Sequence, residues 1–350
     1  MIDKLFSLIS YDLGIDLGTA NTLVLIRGKG IMIREPSVVA MQKKTKKIIA
    51  IGTEAKKMVG RTPANILAVS PLADGVIADF DAAAAMIKHY IGLIHNMPSS
   101  FPKLPRPRVV MGIPAGVTEV ERRAVQEAAL AAGARKAYLI EEPMAAAIGA
   151  GINIDDTHGS MIVDIGGGTT EMAVIALGGV VVNKSLRIAG KEMDEMIVNF
   201  FRLKYGVLIG ERTAEELKIS IGSAFSGSKD DDKHAVIRGR DLETGLPKSL
   251  RITAAEVREA LAPTLNQIVE AIKDLIEETP PELVADIMEK GLVMAGGGSM
   301  LTGIDRMVAS STKIPVWIAE EPMAAVVRGC GRVLEDRKLL ERVRVTGGLR

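Results

Sequence analysis

Three segments of this 350-residue chain recur in the same order, and that internal duplication confines the fold to two related halves. An apolar strand carrying Asp, a glycine turn and a second apolar strand appears as GIDLGTANTLVLI at 14–26 and again as VDIGGGTTEMAVI at 163–175. A strand ending in small residues occurs as VVMGIPAG at 109–116 and as LVMAGGGS at 292–299. EEPMAAAIGAG at 141–151 is echoed by EEPMAAVVRGCG at 320–331. The spacing between copies differs, so insertions differ between the halves while the order is kept.

Within each half, strands alternate with helices, the pattern of an α/β sheet covered on both faces. Thr118 and Glu121 predict a capping box that opens a helix closed by Gly133. A second box is expected from Thr213 to Glu216, starting a helix that ends near Gly222. Between Lys191 and Tyr205, the residues Met193, Met196, Ile197, Phe200 and Phe201 fall on one helical stripe. Two stretches read as excursions from these cores, 34–78 with its KKTKK turn and 182–249 with its SGSKDDDK loop. Each is expected to form a small outer subdomain.

Composition excludes several functions. Lys and Arg total 44 against 43 for Asp and Glu, so a net charge of +1 supplies no field to draw nucleic acid or acidic lipid. Aromatic residues make up 3%, too few for base-stacking platforms. The single cysteine, Cys330, rules out an internal disulfide or a cysteine metal cluster and reads as a buried structural thiol. No apolar run approaches the roughly 20 residues of a membrane-spanning helix. The opening MIDKLFSLIS, broken by Asp3 and Lys4, makes a poor secretory signal, so a cytoplasmic location is expected.

In both hairpins the Asp ends a buried strand and is followed at once by glycine-rich backbone. Glycines let the chain approach phosphate oxygens, and a carboxylate one step away accepts hydrogen bonds from waters on Mg²⁺. Asp16 and Asp164 are therefore the candidate metal-side residues, acting through water. Thr19, Ala20 and Asn21 would form one phosphate loop, and Gly166, Gly167, Gly168 and Thr169 the other. A plain hairpin turn explains either loop alone equally well; the pair together is harder to explain so. Neither a Walker A loop nor a Rossmann glycine fingerprint follows the first strand, and neither loop contains Lys. Slow hydrolysis is the consequence, unless a change of geometry completes the site.

Glu142 follows the strand AYLI and precedes Pro143, which sets it in the first turn of a helix at the carboxyl edge of a sheet. It is the candidate for orienting and polarising an attacking water, with Thr169 assisting; Glu141 is the less favoured choice. A simple helix N-cap competes with this reading, and fits the echo Glu321. The turn Gly296, Gly297, Gly298, Ser299 reads as an anion or adenosine cradle. On the helix after Thr213, Glu215, Glu216 and Lys218 reach toward ribose and adenine or else form a surface ion pair.

Taken together, IDLGTANT, IPAGVTEVERRA, IEEPMAAAIGAG, VDIGGGTTE, GERTAEELK and MAGGGSML resemble the actin, sugar-kinase and DnaK-type chaperone superfamily, and within it the rod-shape-determining bacterial actins. The resemblance covers nearly the whole chain. It implies an actin-like ATPase fold of two duplicated RNase H-like α/β lobes, each with an outer subdomain, around ATP and Mg²⁺. The implied division is 1–33, 79–145 and 315–350 for subdomain IA, 34–78 for IB, 146–181 and 250–314 for IIA, and 182–249 for IIB. It further implies ATP-dependent filaments of the chain with itself, linked to cell-wall synthesis and to cell-shape proteins of the membrane. Residue by residue, it sets Thr19 to Asn21, Gly166 to Gly168, Glu215, Glu216, Leu217, Lys218 and Gly296 to Ser299 around ATP, and supports Glu142 and Thr169 as water-positioning residues.

The N-terminal segment adds a physical argument of its own. Ile2, Leu5, Phe6 and Ile9 share one helical face, with Asp3, Lys4, Ser7 and Ser10 on the other, as in a helix lying in the inner membrane interface. Burying four such side chains contributes at most ~6 to 12 kcal/mol, while ordering nine residues costs roughly 1 to 2 kcal/mol each. One copy therefore binds weakly, and a filament binds by avidity. Packing on its own domain is the alternative. The HNMPSSF loop, with Met97 and Phe101, offers a second contact or a packed turn. The enzymatic rival is a small-molecule kinase of the same superfamily, although no motif for a substrate base or pocket is evident.

Overall fold

The computed structural model describes residues 10–97, 106–227 and 232–345, so the expectations for Ile2, Leu5, Phe6, Ile9 and Phe101 lie outside the described residues. The first half runs β1 (Leu13–Leu17), β2 (Asn21–Ile26), β3 (Gly30–Pro36), β4 (Val39–Gln42), β5 (Ile48–Ile51), α1 (Thr53–Lys56), β6 (Ile66–Val69), β7 (Leu72–Ala73) and β8 (Val76–Ile77). It continues with α2 (Phe80–His95), β9 (Arg108–Ile113), α3 (Glu119–Ala131), β10 (Lys136–Glu141) and α4 (Glu142–Ala150). The second half runs β11 (Ser160–Ile165), β12 (Thr170–Ala176), β13 (Gly179–Leu186), α5 (Gly190–Tyr205), β14 (Val207–Leu208), α6 (Glu211–Ile221), β15 (His234–Asp241) and β16 (Pro247–Thr253). After it come α7 (Ala254–Glu278), α8 (Pro281–Lys290), β17 (Leu292–Ala295), α9 (Ile304–Thr312), β18 (Val316–Ile318), α10 (Ala325–Glu335) and α11 (Arg337–Val343).

Duplication is visible in the topology. One five-stranded sheet is ordered β10-β9-β1-β2-β3 and the other β18-β17-β11-β12-β13, read in the same sense. In each, the Asp-bearing strand pairs antiparallel with its hairpin partner and parallel with the strand that follows the insertion. Strands β4, β5 and β6 form a small sheet inserted in the first half, and β14, β15 and β16 another in the second. The central strands are buried on both faces, as their continuous apolar runs require. One core cluster fills each half, and a third, built on Ile148, Ile162, Ile175 and Cys330, lies between them.

The two EEP segments become the starts of the crossing helices. Helix α4 packs on β11 and β12 of the other half, α10 packs on β1, β2 and β9, and the two helices pack on each other. Small residues allow that contact: a Cβ at Gly149 would run into the Ala325 carbonyl, and one at Gly329 into that of Ala145.

Of the two expected capping boxes, one forms. Thr118 and Glu121 form the expected reciprocal box, and Gly133 adopts φ 109° beyond the helix end. The box expected at Thr213 does not form. Helix α6 begins two residues earlier, behind an extended Gly210 that makes no side-chain cap, and the Thr213 amide already bonds the Gly210 carbonyl at 3.0 Å. Among the described residues no helix is long and apolar enough to cross a membrane.

Candidate functional site

The two hairpin turns face each other across the halves. A Cβ on Gly167 would stand 2.6 Å from the Ala20 methyl, and one on Gly168 2.7 Å from Thr19 Oγ1, so only glycine admits this approach of backbone to backbone. Thr19 is fixed from both sides: its hydroxyl accepts the Gly75 amide at 3.1 Å, and its carbonyl accepts Ser70 Oγ at 3.1 Å. Thr169 is buried, with its methyl and hydroxyl flanking Gly75, and its carbonyl closes the turn by accepting the Gly166 amide at 2.8 Å.

Beneath these turns the structure gathers carboxyls. Asp16 is the last residue but one of β1 and Asp164 of β11; burial pushes both up to about 7 from an ordinary 3.8, and the Asp16 charge raises Asp164 further. Glu142, at the first position of α4, is raised well above the usual carboxylate range by burial and then by Glu171, Asp16 and Asp164. Glu171 is pushed to about 7 by burial, against the hydrogen bonds it accepts from Ser185 Oγ at 2.6 Å and the Ala115 amide at 3.0 Å. That second bond crosses from β12 to the loop after β9 of the other half. Cys330 lies behind the cluster, fully buried, its thiol raised by burial and by Asp16 and Glu142; it is an inert core group.

The sequence reading did not single out Glu171. Its signal was present: a carboxylate inside TTEMAVIA, a strand otherwise too apolar to carry a charge without a purpose.

Of the remaining candidates, the Gly296 turn and Lys218 lie beside the second hairpin turn. Gly296 adopts φ 79° against Asp164 and Ile165, where any Cβ would collide. Gly297, Gly298 and Ser299 form a 3₁₀ turn held by Ser299 Oγ donating to the Gly296 carbonyl at 2.7 Å. Lys218 stands beside the second turn, donating to the Gly190 carbonyl at 2.7 Å and pairing with Asp194 at 2.8 Å. Leu217 is a core residue, which leaves a ligand only its backbone. Glu215 pairs with Lys56 of α1 at 2.8 Å, across the mouth between the two outer elements, and Glu216 pairs with Arg212. The alternative reading of an i,i+3 surface pair between Glu215 and Lys218 is therefore not what forms. A cavity of about 300 Å³ opens at this mouth between α1 and α6. Glu321 stays at the surface, paired with Arg328 at 2.8 Å and Arg34 at 3.3 Å, and caps nothing with its side chain.

Residues 10–342 match the family model for the MreB/Mbl protein. The chain belongs to the MreB/Mbl family. The cell shape-determining protein MreB of Escherichia coli K12 is 50% identical over 339 residues, covering 96% of each chain. The crystal structure of MreB 5 of Spiroplasma citri bound to AMPPNP matches with a TM-score of 0.87 and 37% identity, over 95% of this chain and 98% of that one; an ADP-bound structure of the same protein matches equally. The MamK double helical filament shares the fold at TM-score 0.75 and 23% identity, over 93% of this chain and 99% of that one. An actin-like fold for this MreB/Mbl chain is thereby established.

Proposed function

We propose that this MreB/Mbl chain binds ATP with Mg²⁺ between its halves, assembles with itself into filaments on the inner membrane face, and acts in cell-shape determination. The reading rests on one observation above the rest: two glycine turns touch over four carboxyls contributed by both halves, Asp164 and Glu171 buried and Asp16 and Glu142 half-buried. Carboxyls raised by desolvation, and in Asp164, Glu142 and Glu171 further by neighbouring acids, form a site short of positive charge. Among the described residues no three acidic, His or Cys side chains converge closely enough to ligate a metal directly, which suits an ion that keeps its waters. Asp16 and Asp164 would hold such a hydrated Mg²⁺, and the ion supplies charge neutralisation to the phosphates.

The residues of the chain do the rest. Thr19 to Asn21 and Gly166 to Thr169 offer backbone amides to phosphate oxygens, and the cradle Gly296 to Ser299 offers more. Lys218 and Glu215 border the nucleoside side, where Glu215 exchanges its Lys56 partner for a hydroxyl. Glu142 holds and takes the proton of the attacking water; a raised proton affinity suits a base that works near neutral pH. Thr169 fixes that water from the other half. The apolar N-terminal face of Ile2, Leu5, Phe6 and Ile9 supplies the membrane contact, multiplied by assembly.

The decisive experiment follows sedimentation and light scattering of the purified chain with ATP and Mg²⁺, with ADP, and without nucleotide. Assembly that needs nucleotide is expected. Phosphorylation of a sugar or acid with no assembly at any salt or protein concentration would favour the kinase reading instead.

A further inference from the structure

Asp16, Asp164 and Glu142 each have a place in the proposed chemistry, whereas Glu171, the fourth carboxyl of the cluster, has none. The residue is 1% exposed, and both its oxygens accept hydrogen bonds: Oε1 from Ser185 Oγ on β13 of its own half at 2.6 Å, Oε2 from the Ala115 amide of the other half at 3.0 Å. Ala115 is buried in the loop between β9 and α3, so its amide has no water to turn to if Glu171 withdraws. A second crossing lies beside this one, where Glu121 of α3 meets Arg187 beyond β13 at 3.9 Å. Their side chains are 28% and 64% exposed and open to screening by salt, which leaves the buried bond as the firmer tie.

The tie joins short stretches of chain that lead straight to the reacting region. On the second half, Glu171 lies two residues after Thr169 in the same hairpin. On the first, Ala115 lies three residues after Gly112, where a Cβ would stand 3.2 Å from Cγ of Glu142. Between them, a Cβ on Gly75 would run into the Pro114 ring and stand 3.2 Å from the Thr169 methyl, while the Gly75 amide donates to Thr19 Oγ1 at 3.1 Å. A movement of the Pro114–Ala115 loop therefore reaches both phosphate turns and the strand on which Glu142 rests.

We infer that Glu171 is a positioning residue for hydrolysis: its bond to the Ala115 amide sets Thr169 of one half against Glu142 of the other, at the separation an attacking water must bridge. This rests on the ATPase reading above and adds to it a residue that acts through others. The two water-positioning side chains belong to different halves, so their spacing depends on how the halves are tied. A misplacement of about 1 Å costs on the order of 10²-fold in rate. Such a tie needs an acceptor facing Ala115 and a polar contact facing Ser185, and it does not need a charge. Glutamine supplies both, its carbonyl oxygen taking the amide and its NH₂ donating to Ser185 Oγ.

The test uses full-length chains bearing Glu171→Met, Glu171→Gln or Ser185→Ala, with single-turnover phosphate release, ATP titration, light scattering with AMPPNP and thermal melting read on each. Glu171→Met keeps the length and removes both oxygens, so hydrolysis is expected to fall about 30- to 100-fold while ATP affinity stays within about threefold. Glu171→Gln is expected to hydrolyse within about threefold of the unaltered chain. Ser185→Ala leaves the bond between halves but frees the other oxygen, and is expected to lose about threefold. Ser185 is exposed on an edge strand, so this variant decides the matter if Glu171→Met does not fold: unchanged hydrolysis then overturns the assignment. So does Glu171→Met hydrolysing at the ordinary rate, Glu171→Gln as slow as Glu171→Met, or a loss matched by equal losses of ATP affinity or of assembly. An unaltered chain that binds ATP and never releases phosphate defeats the ATPase reading itself, and the positioning role with it.

Discussion

The two halves share a strand order and differ in where they keep their carboxylates. Across the hairpin from Asp164 stands Glu171, whereas the residue across from Asp16 is Leu23, packed under Ala324 and Val327. The EEP copies show the opposite bias: Glu142 of the first half is drawn into the acid cluster, while Glu321 of the second stays at the surface with two arginines. Each half thus lends the cleft one carboxyl that its counterpart lacks. Duplication supplied the scaffold twice, and the copies diverged where the carboxyls gather. Both extra carboxyls work across the boundary, Glu171 through its bond to Ala115 and Glu142 from a helix packed on the other sheet.

The comparison breaks most visibly at Glu142. Glu142→Gln keeps the volume and removes the proton acceptor, so ATP hydrolysis is expected to fall by about 10²- to 10⁴-fold. Phosphate release in single turnover measures the loss, and a nucleotide titration that remains near normal separates it from a binding defect. A Gln variant that hydrolyses at the ordinary rate would move the role to another carboxyl, with Glu171 first in line.

Much of this was legible in the residues because it depends on local pattern. The repeat order announced two like sheets, and Asp followed by glycine announced two turns at strand ends. Pro143 placed Glu142 at a helix start, where α4 indeed begins. What local pattern could not carry was partner choice across long range. Glu215 lies one turn from Lys218 yet pairs with Lys56, 159 residues away, because the fold brings α1 over the cleft. The Thr213 box failed because an extended Gly210 started the helix before the threonine could cap it. Glu171 escaped notice because a single acid in a strand means little until its neighbours are known.

A second expected effect tests whether the paired aspartates are equivalent. Burial holds Asp16 and Asp164 near 7, so between pH 4 and 7 the folded chain keeps protons that the unfolded chain has released. Stability without nucleotide is therefore fully present below pH 4 in respect of these groups and is lost as pH rises through 7, at about 1.4 kcal/mol per pH unit for each extra proton held. Asp16→Asn and Asp164→Asn should each flatten this slope in denaturant melts across pH 5 to 8. If only one does so, the halves contribute unequally even where their residues match. Mg²⁺ with ADP at pH 8 is expected to recover the stability lost, since a cation favours the ionised pair.

The smallest effect is expected at Glu321, and its smallness is the informative part. The side chain is 43% exposed and pairs with Arg328 and with Arg34, themselves 38% and 55% exposed. Exposed pairs of this kind contribute about 0 to 1 kcal/mol, and salt screens them. Glu321→Gln should therefore change the urea midpoint little and leave hydrolysis within a factor of about two, even though the residue occupies the same place in the motif as Glu142. Arg34 belongs to β3 of the first half, however, so this pair also ties the second EEP segment to the opposite sheet. A drop in hydrolysis approaching that of Glu142→Gln would show that the segment transmits lobe geometry to the cleft, and the two copies would then differ in distance from the chemistry rather than in kind.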